Sequence, residues 1–291
     1  MGEGYVEAQE LQRLIVAEIF KAMGWSPAGR ISRLLAPVFF RAVRRFAEVA
    51  ATCDRLIAEQ GLTEAARWTL AQFTKGFLAE GTEHIPREGP LLIACNHPGT
   101  VDSLVIVASV ARQDLKVVAG PIPFMQHLPN VSRHLIYSSG DDVRRRAGVV
   151  RQAIHHLEDG GALLLFARGH LEPDPACMPG AEDELAHWSR SLEIFLRSVP
   201  QASVVVGIVS GVLARESVRH PITWVRRGRV ERQRLAMIIQ FVRQMRGRKI
   251  PLVPRVTFGE PLPASALQGD PLPAIIESAR RLLARHRVPQ A

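Results

Sequence analysis

The chain has 291 residues, 47% of them hydrophobic, and a formal net charge of +9 that is mostly arginine; that is enough apolar material for one large or two smaller domains, yet no run reaches the roughly 18–20 apolar residues of a membrane span. Three cysteines, Cys53, Cys95 and Cys177, lie far apart without CxxC spacing, which argues against a disulfide framework or a zinc site. The positive charge asks for an acidic partner, but aromatics make up only 6% and no zinc-finger or RNA-binding signature is present, so nucleic acid is not expected.

The first eighty residues carry helical periodicity. Leu11, Leu14, Ile15, Ile19, Ala22 and Met23 form one apolar stripe. A second runs through Ile31, Leu34, Leu35, Val38, Phe39, Ala42, Val43 and Phe46, again at the spacing of an amphipathic helix. That helix is expected to bend at Pro37, with Arg33, Arg41, Arg44 and Arg45 on its other faces. Thr63 is placed to cap a third helix carrying Leu70, Phe73 and Phe77. Residues 1–80 thus read as a helical amino-terminal segment. It packs on the core, or lays its arginine-flanked stripes on an anionic membrane surface, and the two are compatible. The acidic opening MGEGYVEAQE lacks the basic-then-apolar order of a secretory signal, so a cytoplasmic location is expected.

From Gly81 the texture changes, and residues 81–291 alternate short apolar runs with helical stretches. Strands are expected at 91–95 (LLIAC), 115–120, 134–139, 162–167, 203–211 and 255–258. Helices are expected from Arg144 to Leu157, from Ala181 to Arg197 and from Val230 to Met245. The last places Leu235, Ile238, Ile239 and Val242 on its apolar face. This alternation predicts an α/β fold, a mixed sheet flanked by helices. Ligands in such sheets sit beyond the carboxyl ends of strands. The stretch ACNHPGTVDS, residues 94–103, falls there, with His97 just after the first run and Asp102 in the first turn of the next helix.

A histidine and an aspartate five positions apart are a weak signal by themselves; the surrounding residues make it specific. Asn96-His97, four residues, then Asp102 resembles the first motif of the glycerophospholipid acyltransferases, whose bacterial type is the lysophosphatidate (1-acylglycerol-3-phosphate) acyltransferase. The approach GTEHIPREGPLLIACNH is similar to that family's lead-in, and VTFGEPLP (256–263) to its late segment. The resemblance spans residues 80–265. It implies that His97 is the general base for the acceptor hydroxyl and that Asp102 orients it. An imidazole titrating near neutrality suits that task. It also implies Asn96 among the substrate contacts, and backbone N–H groups near Gly99 and Thr100 stabilising the oxyanion. No protein nucleophile is required, because the acceptor hydroxyl itself attacks.

The later motifs depart from the family's. In LIYSSGDDVRRR, Ser139 and Gly140 stand where an arginine is usual, with Arg144, Arg145 and Arg146 a turn further on. The usual Phe-Pro-Glu-Gly-Thr is Phe166-Ala167-Arg168-Gly169-His170, with Glu172 close behind. A proline of the fourth motif is replaced near Gly207. Because these motifs are associated with the acceptor's glycerol phosphate, Arg144, Arg145, Arg168, Gly169 and His170 are the candidate acceptor-binding residues, in a geometry of this chain's own. The activity implied is transfer of a fatty acyl group from acyl-CoA or acyl carrier protein to a hydroxyl of a lysophospholipid-type acceptor, lysophosphatidate first. Neither a metal nor another cofactor is expected. Attachment is expected to be peripheral, on the cytoplasmic face of the membrane. The alternatives are a catalytically weak, lipid-binding relative and an enzyme for a different hydroxyl acceptor. Cys95 reads as a buried small hydrophobe rather than a nucleophile. GIVSG has its serine one place too late for a nucleophile elbow, and His155-His156 lacks a partner at metal-ligand spacing.

Overall fold

The computed structural model describes residues 3–22, 26, 29–138, 143–247, 250–267 and 269–287, without the side chains of 3–10, 21–22, 30–38 and 143–146. Three helices open the chain, α1 (Glu3–Ala22), α2 (Arg30–Gln60) and α3 (Leu62–Ala71). α2 runs through Pro37 as one helix; the proline lies near its start, and the single backbone bond it removes is a small part of a helix of 31 residues. Thr63 does not cap α3. It lies inside the first turn with its hydroxyl buried and unpartnered, and Gln113 Oε1 takes the Leu62 N–H instead, at 2.7 Å. Phe73 and Phe77 fall beyond the helix end.

A short strand β1 (Leu78–Glu80) leads into β2 (Leu91–Cys95), whose five residues are all buried, as befits a central strand covered on both faces. There follow α4 (Asp102–Val110), β3 (Lys116–Ala119), α5 (Pro129–Ser132), β4 (Leu135–Tyr137), α6 (Val143–Glu158) and β5 (Ala162–Phe166). The chain continues through α7 (Ala181–Leu185), α8 (Ser191–Ser198), β6 (Ser203–Ser210) and α9 (Arg215–Val218). It closes with α10 (Arg229–Met245), β7 (Arg255–Phe258), β8 (Leu262–Pro263) and α11 (Pro271–Arg287). Among the described residues, eight strands form one mixed sheet in the order β1-β7-β6-β2-β5-β3-β4, with β8 also on β6. β7 and β8 run antiparallel to β6, whereas β6, β2, β5, β3 and β4 are parallel.

The period of two along β2 divides the core. Leu91, Ile93 and Cys95 face one layer, formed with α2, α3 and α4. Leu92 and Ala94 face the other, formed with α6, α8 and α11. A smaller cluster joins Leu11 and Ile15 of α1 to Val43 and Ala47 of α2, and to Phe124 and Leu128. Gly207 of β6 is matched to Cys95 in register, and a Cβ there would stand 2.5 Å from the Cys95 sulfur. This close approach accounts for glycine at the place where the family's proline was expected.

Two expected helices differ. Residues 181–197 form two short helices, because the chain turns between them to bury Trp188. α10 buries Gln233, Ala236, Gln240, Gln244 and Met245 rather than the face of Leu235, Ile239 and Val242. The glutamines reach backbone groups of distant loops, and those bonds decide which face turns inward.

Candidate active site

The parallel strands β2, β5 and β6 all end on one edge of the sheet, and the polar residues gather there. β2 delivers His97. Its Nδ1 lies 2.8 Å from Asp102 Oδ2, the first residue of α4, and among the described residues Nε2 has no hydrogen-bond partner. Asp102 is 2% exposed against 30% for the His97 side chain. The same Oδ2 accepts the Gly99 N–H at 2.6 Å, and Oδ1 accepts the Ser103 N–H. A carboxylate so placed keeps the proton on Nδ1 and leaves the Nε2 lone pair outward. The Phe166 ring, at the end of β5, stacks on the imidazole with centroids 4.1 Å apart. Burial works against the His97 cation, but the charge and hydrogen bond of Asp102, with Glu172 beyond, outweigh it and raise the His97 pKa.

The turn between them is constrained. Gly99 has φ +93°, and a Cβ there would meet the Met237 methyl at 2.7 Å. Thr100 sits at φ +58°, unusual for a β-branched residue. Its hydroxyl donates to the Gly99 and Val212 carbonyls and holds that conformation. Asn96 is not free to contact a substrate. Its amide clamps the Val209 backbone, donating to the carbonyl at 2.9 Å and accepting from the N–H at 2.7 Å. The Gly99 N–H, expected as an oxyanion donor, is taken by Asp102, which leaves the Thr100 and Val101 N–H groups as the amides of this turn without a partner among the described residues.

Glu172 closes the other side of His97. It is 1% exposed. Oε2 accepts the His97 backbone N–H at 2.7 Å and Oε1 accepts the Trp188 indole N–H at 3.0 Å, while its own N–H returns to the His97 carbonyl at 2.8 Å. Burial pushes its carboxyl up to about 7, against the opposing pull of those two donors and of His97. Gln233 of α10 then donates to both the Pro98 and Glu172 carbonyls, so one side chain pins the two loops that flank the imidazole. Asp174 is likewise buried, accepting from the N–H groups of Ala176, Gly211 and Leu213.

On the solvent side, Arg168 donates to Glu184 at 3.0 Å and Arg229 of α10 to the other oxygen of Glu184 at 2.7 Å. Arg229 also reaches the Leu171 carbonyl. Two guanidinium groups thus share one carboxylate beside the His97 loop, which leaves a net positive charge there. Gly169 and His170 are exposed on the same loop. The side chains of Arg144 and Arg145 lie outside the described residues. Cys95 is fully buried and its thiol is pushed well above the ordinary value, which removes it as a nucleophile.

An apolar cavity of about 530 Å³ opens against Thr100 and Val101 of the His97 turn and Leu104 of α4. Its walls come from α1 and α2 (Ile15, Phe46, Val49) and from α10 (Met237, Phe241). Imidazole, carboxylate, paired arginines and a carbon-lined cavity on one sheet edge can move a proton and hold a molecule with one anionic and one apolar end.

Residues 77–187, which hold the strands leading to His97 and Arg168, match the protein-family model described as Acyltransferase. The match covers the centre of the chain, from β1 through α7, and takes in His97, Asp102 and Glu172. The whole chain is similar in structure to the 1-acyl-sn-glycerophosphate (LPA) acyltransferase, PlsC, from Thermotoga maritima, with a TM-score of 0.50, 14% sequence identity and 99% of each chain covered. No curated protein matches the sequence significantly. Among the described residues no helix is long and apolar enough to cross a membrane. Sequence reasoning passed over Trp188, Glu184, Arg229 and Gln233. The available signal was a set of glutamines on one face of α10, at positions 233, 240 and 244, spaced by seven and four residues.

Proposed function

We propose that the protein transfers a fatty acyl group from a thioester, acyl-CoA or acyl carrier protein, to the hydroxyl of a lysophospholipid-type acceptor, with lysophosphatidate the first candidate. The observation that carries this reading is the Asp102-oriented imidazole beside a carbon-lined cavity. His97 Nε2 takes the hydroxyl proton as the acceptor oxygen attacks the thioester carbonyl. Asp102 stabilises the imidazolium that forms. The Thr100 and Val101 N–H groups are the amides left to meet the oxyanion. The C–S bond then breaks, and the proton on His97 passes to the departing thiolate. No step of this sequence calls on a metal or redox group.

In this reading the cavity takes the acyl chain, and the amino-terminal helices serve as its roof. Arg168 and Arg229 meet the phosphate of the acceptor, with Gly169 and His170 at the same rim. The work takes place at the cytoplasmic face of a membrane to which the protein attaches peripherally. A lipid-binding protein without catalysis would have no use for a buried carboxylate that fixes one tautomer of a partly exposed imidazole, and this favours the enzyme.

The test is thiol release from long-chain acyl-CoA and from acyl carrier protein thioester, with glycerol 3-phosphate, lysophosphatidate and several lysophospholipids as acceptors. Acceptor-dependent release with the acyl product identified by mass, lost by at least about 10³-fold in His97→Ala, is the expected result. Undiminished release in a folded His97→Ala variant overturns the base assignment. No release with either donor and any acceptor overturns the reading as an enzyme.

A further inference from the structure

Between α9 and α10 the sequence runs RHPITWVRRGR, residues 219–229. Pro221–Val225 form a single 3₁₀ turn. Thr223 holds it from within: buried to 1%, it donates its hydroxyl to the His220 carbonyl at 2.7 Å, and its N–H meets the same oxygen at 2.8 Å. Fixing Thr223 inward turns its neighbours outward. Ile222, Trp224 and Val225 are 53%, 69% and 73% exposed. Among the described residues, three of the seven exposed large hydrophobic side chains fall in this one turn. Large apolar side chains collected on a rigid tip are a contact surface rather than incidental exposure.

Charge names the partner. Residues 215–234 hold seven arginines against two glutamates. Among the described residues, Arg219 and Arg227, both exposed and on either side of the turn, form no ion pair. An amphipathic indole flanked by aliphatic groups suits the headgroup boundary of a bilayer, and unpaired arginines beside it suit anionic headgroups. A stable protein interface needs a far broader apolar face than one turn provides.

We infer that the 219–228 turn is an interfacial wedge: Ile222, Trp224 and Val225 enter the headgroup–acyl boundary of an anionic lipid bilayer while Arg219 and Arg227 engage its phosphates. The inference rests on the acyl-transfer reading for its purpose. The turn is continuous with α10, whose Arg229 and Gln233 hold the loops beside His97 and whose Met237 and Phe241 line the cavity. Seating the turn in lipid therefore brings the site to the surface where the lysophospholipid acceptor resides.

The full chain is tested by sedimentation with vesicles of phosphatidylcholine alone and of phosphatidylcholine with phosphatidylglycerol. The wild type should prefer the anionic vesicles. Arg219→Gln with Arg227→Gln should weaken that binding roughly fivefold per arginine, and the triple change Ile222→Ser, Trp224→Ser, Val225→Ser by about tenfold or more. Brominated lipid should quench wild-type tryptophan emission, and Trp224→Phe should abolish the quenching. Both multiple variants should keep the wild-type melting temperature and the wild-type rate with a water-soluble acceptor. Equal binding to neutral and anionic vesicles, wild-type binding by the triple variant, quenching that survives in Trp224→Phe, or preference for RNA over anionic vesicles overturns the inference. Vesicle binding is read without catalysis, so an inactive protein whose binding still responds to the substitutions sinks only the acyl-transfer reading.

Discussion

His97 stands between two unlike regions. On one side, the turn from Asn96 to Ser103 has almost every polar group engaged: the Asn96 amide on Val209, the Gly99 and Ser103 amides on Asp102, and the Thr100 hydroxyl on two carbonyls. On the other, the rim from Arg168 to His170 is partly or fully exposed and tied chiefly through one shared carboxylate, Glu184. The first region admits one arrangement, which suits a proton transfer that is the same for every acceptor. The second presents positive charge with room to adjust, which suits choosing among acceptors. The resemblance to a known family is strong in the first and broken in the second, as expected if the reaction is kept and the acceptor is this chain's own.

The sharpest way to break this contrast lies in the constrained half. Asp102→Asn should lower kcat by about 10³–10⁴-fold. It should also move the acidic limb of the pH–rate profile. Asp102 is the main group holding the His97 pKa above its ordinary 6.5, and burial pulls the other way. Without the carboxylate charge burial prevails, His97 sheds its proton at lower pH, and the limb shifts toward acid. A limb that stays in place would mean that Asp102 does not govern the protonation of His97.

Glu172 tests whether the second wall of that half is built for the same purpose. Its carboxyl titrates at 4.5 in the ordinary case and at about 7 in the fold, so the folded state holds the proton more tightly. The stability it contributes is complete below 4.5 and is lost as pH rises through 7, a change on the order of 3 kcal/mol. Glu172→Gln should remove this slope from denaturant unfolding measured across that window. It should also cost about 1–3 kcal/mol at every pH, because the Gln NH₂ must face one of two donors, the His97 N–H or the Trp188 indole. An unchanged slope would assign the wild-type pH dependence to other groups.

The legibility of the molecule follows the same divide. β2 and β6 could be read from sequence because a buried strand needs an unbroken apolar run, and LLIAC or VVVGIV is bounded by residues that end it. His97 and Asp102 could be read because both lie in one local turn. Glu172 was visible only as a carboxylate behind Arg168, since its partners are a backbone amide 75 residues earlier and an indole 16 residues later. The burial of Gln233, Gln240 and Gln244 was not read, because their acceptors are the distant carbonyls of Pro98, Val212 and Phe73. Arg229 was similarly hidden, its partner Glu184 lying 45 residues away. Periodicity reports the faces of elements. It is silent on which long-range polar bond overrides a face, as in α10.

The smallest expected effects belong to the rim, and they decide whether it selects or catalyses. Arg168→Ala should raise the acceptor KM about tenfold, the loss of one charge-assisted contact, and leave kcat near wild type. Arg229→Ala should do the same with a modest fall in kcat, since Arg229 also holds the Leu171 carbonyl beside the His97 loop. Glu184→Gln moves the opposite way. Glu184 pairs with both arginines in the unliganded protein, and an anionic acceptor must compete with it. Removing its charge should lower the acceptor KM for phosphate-bearing acceptors and leave it unchanged for neutral ones. If instead Arg168→Ala lowers kcat and kcat/KM equally, the arginine acts only in the transition state. The rim would then belong to the reaction itself, and the division between a region for chemistry and a region for choice would fall.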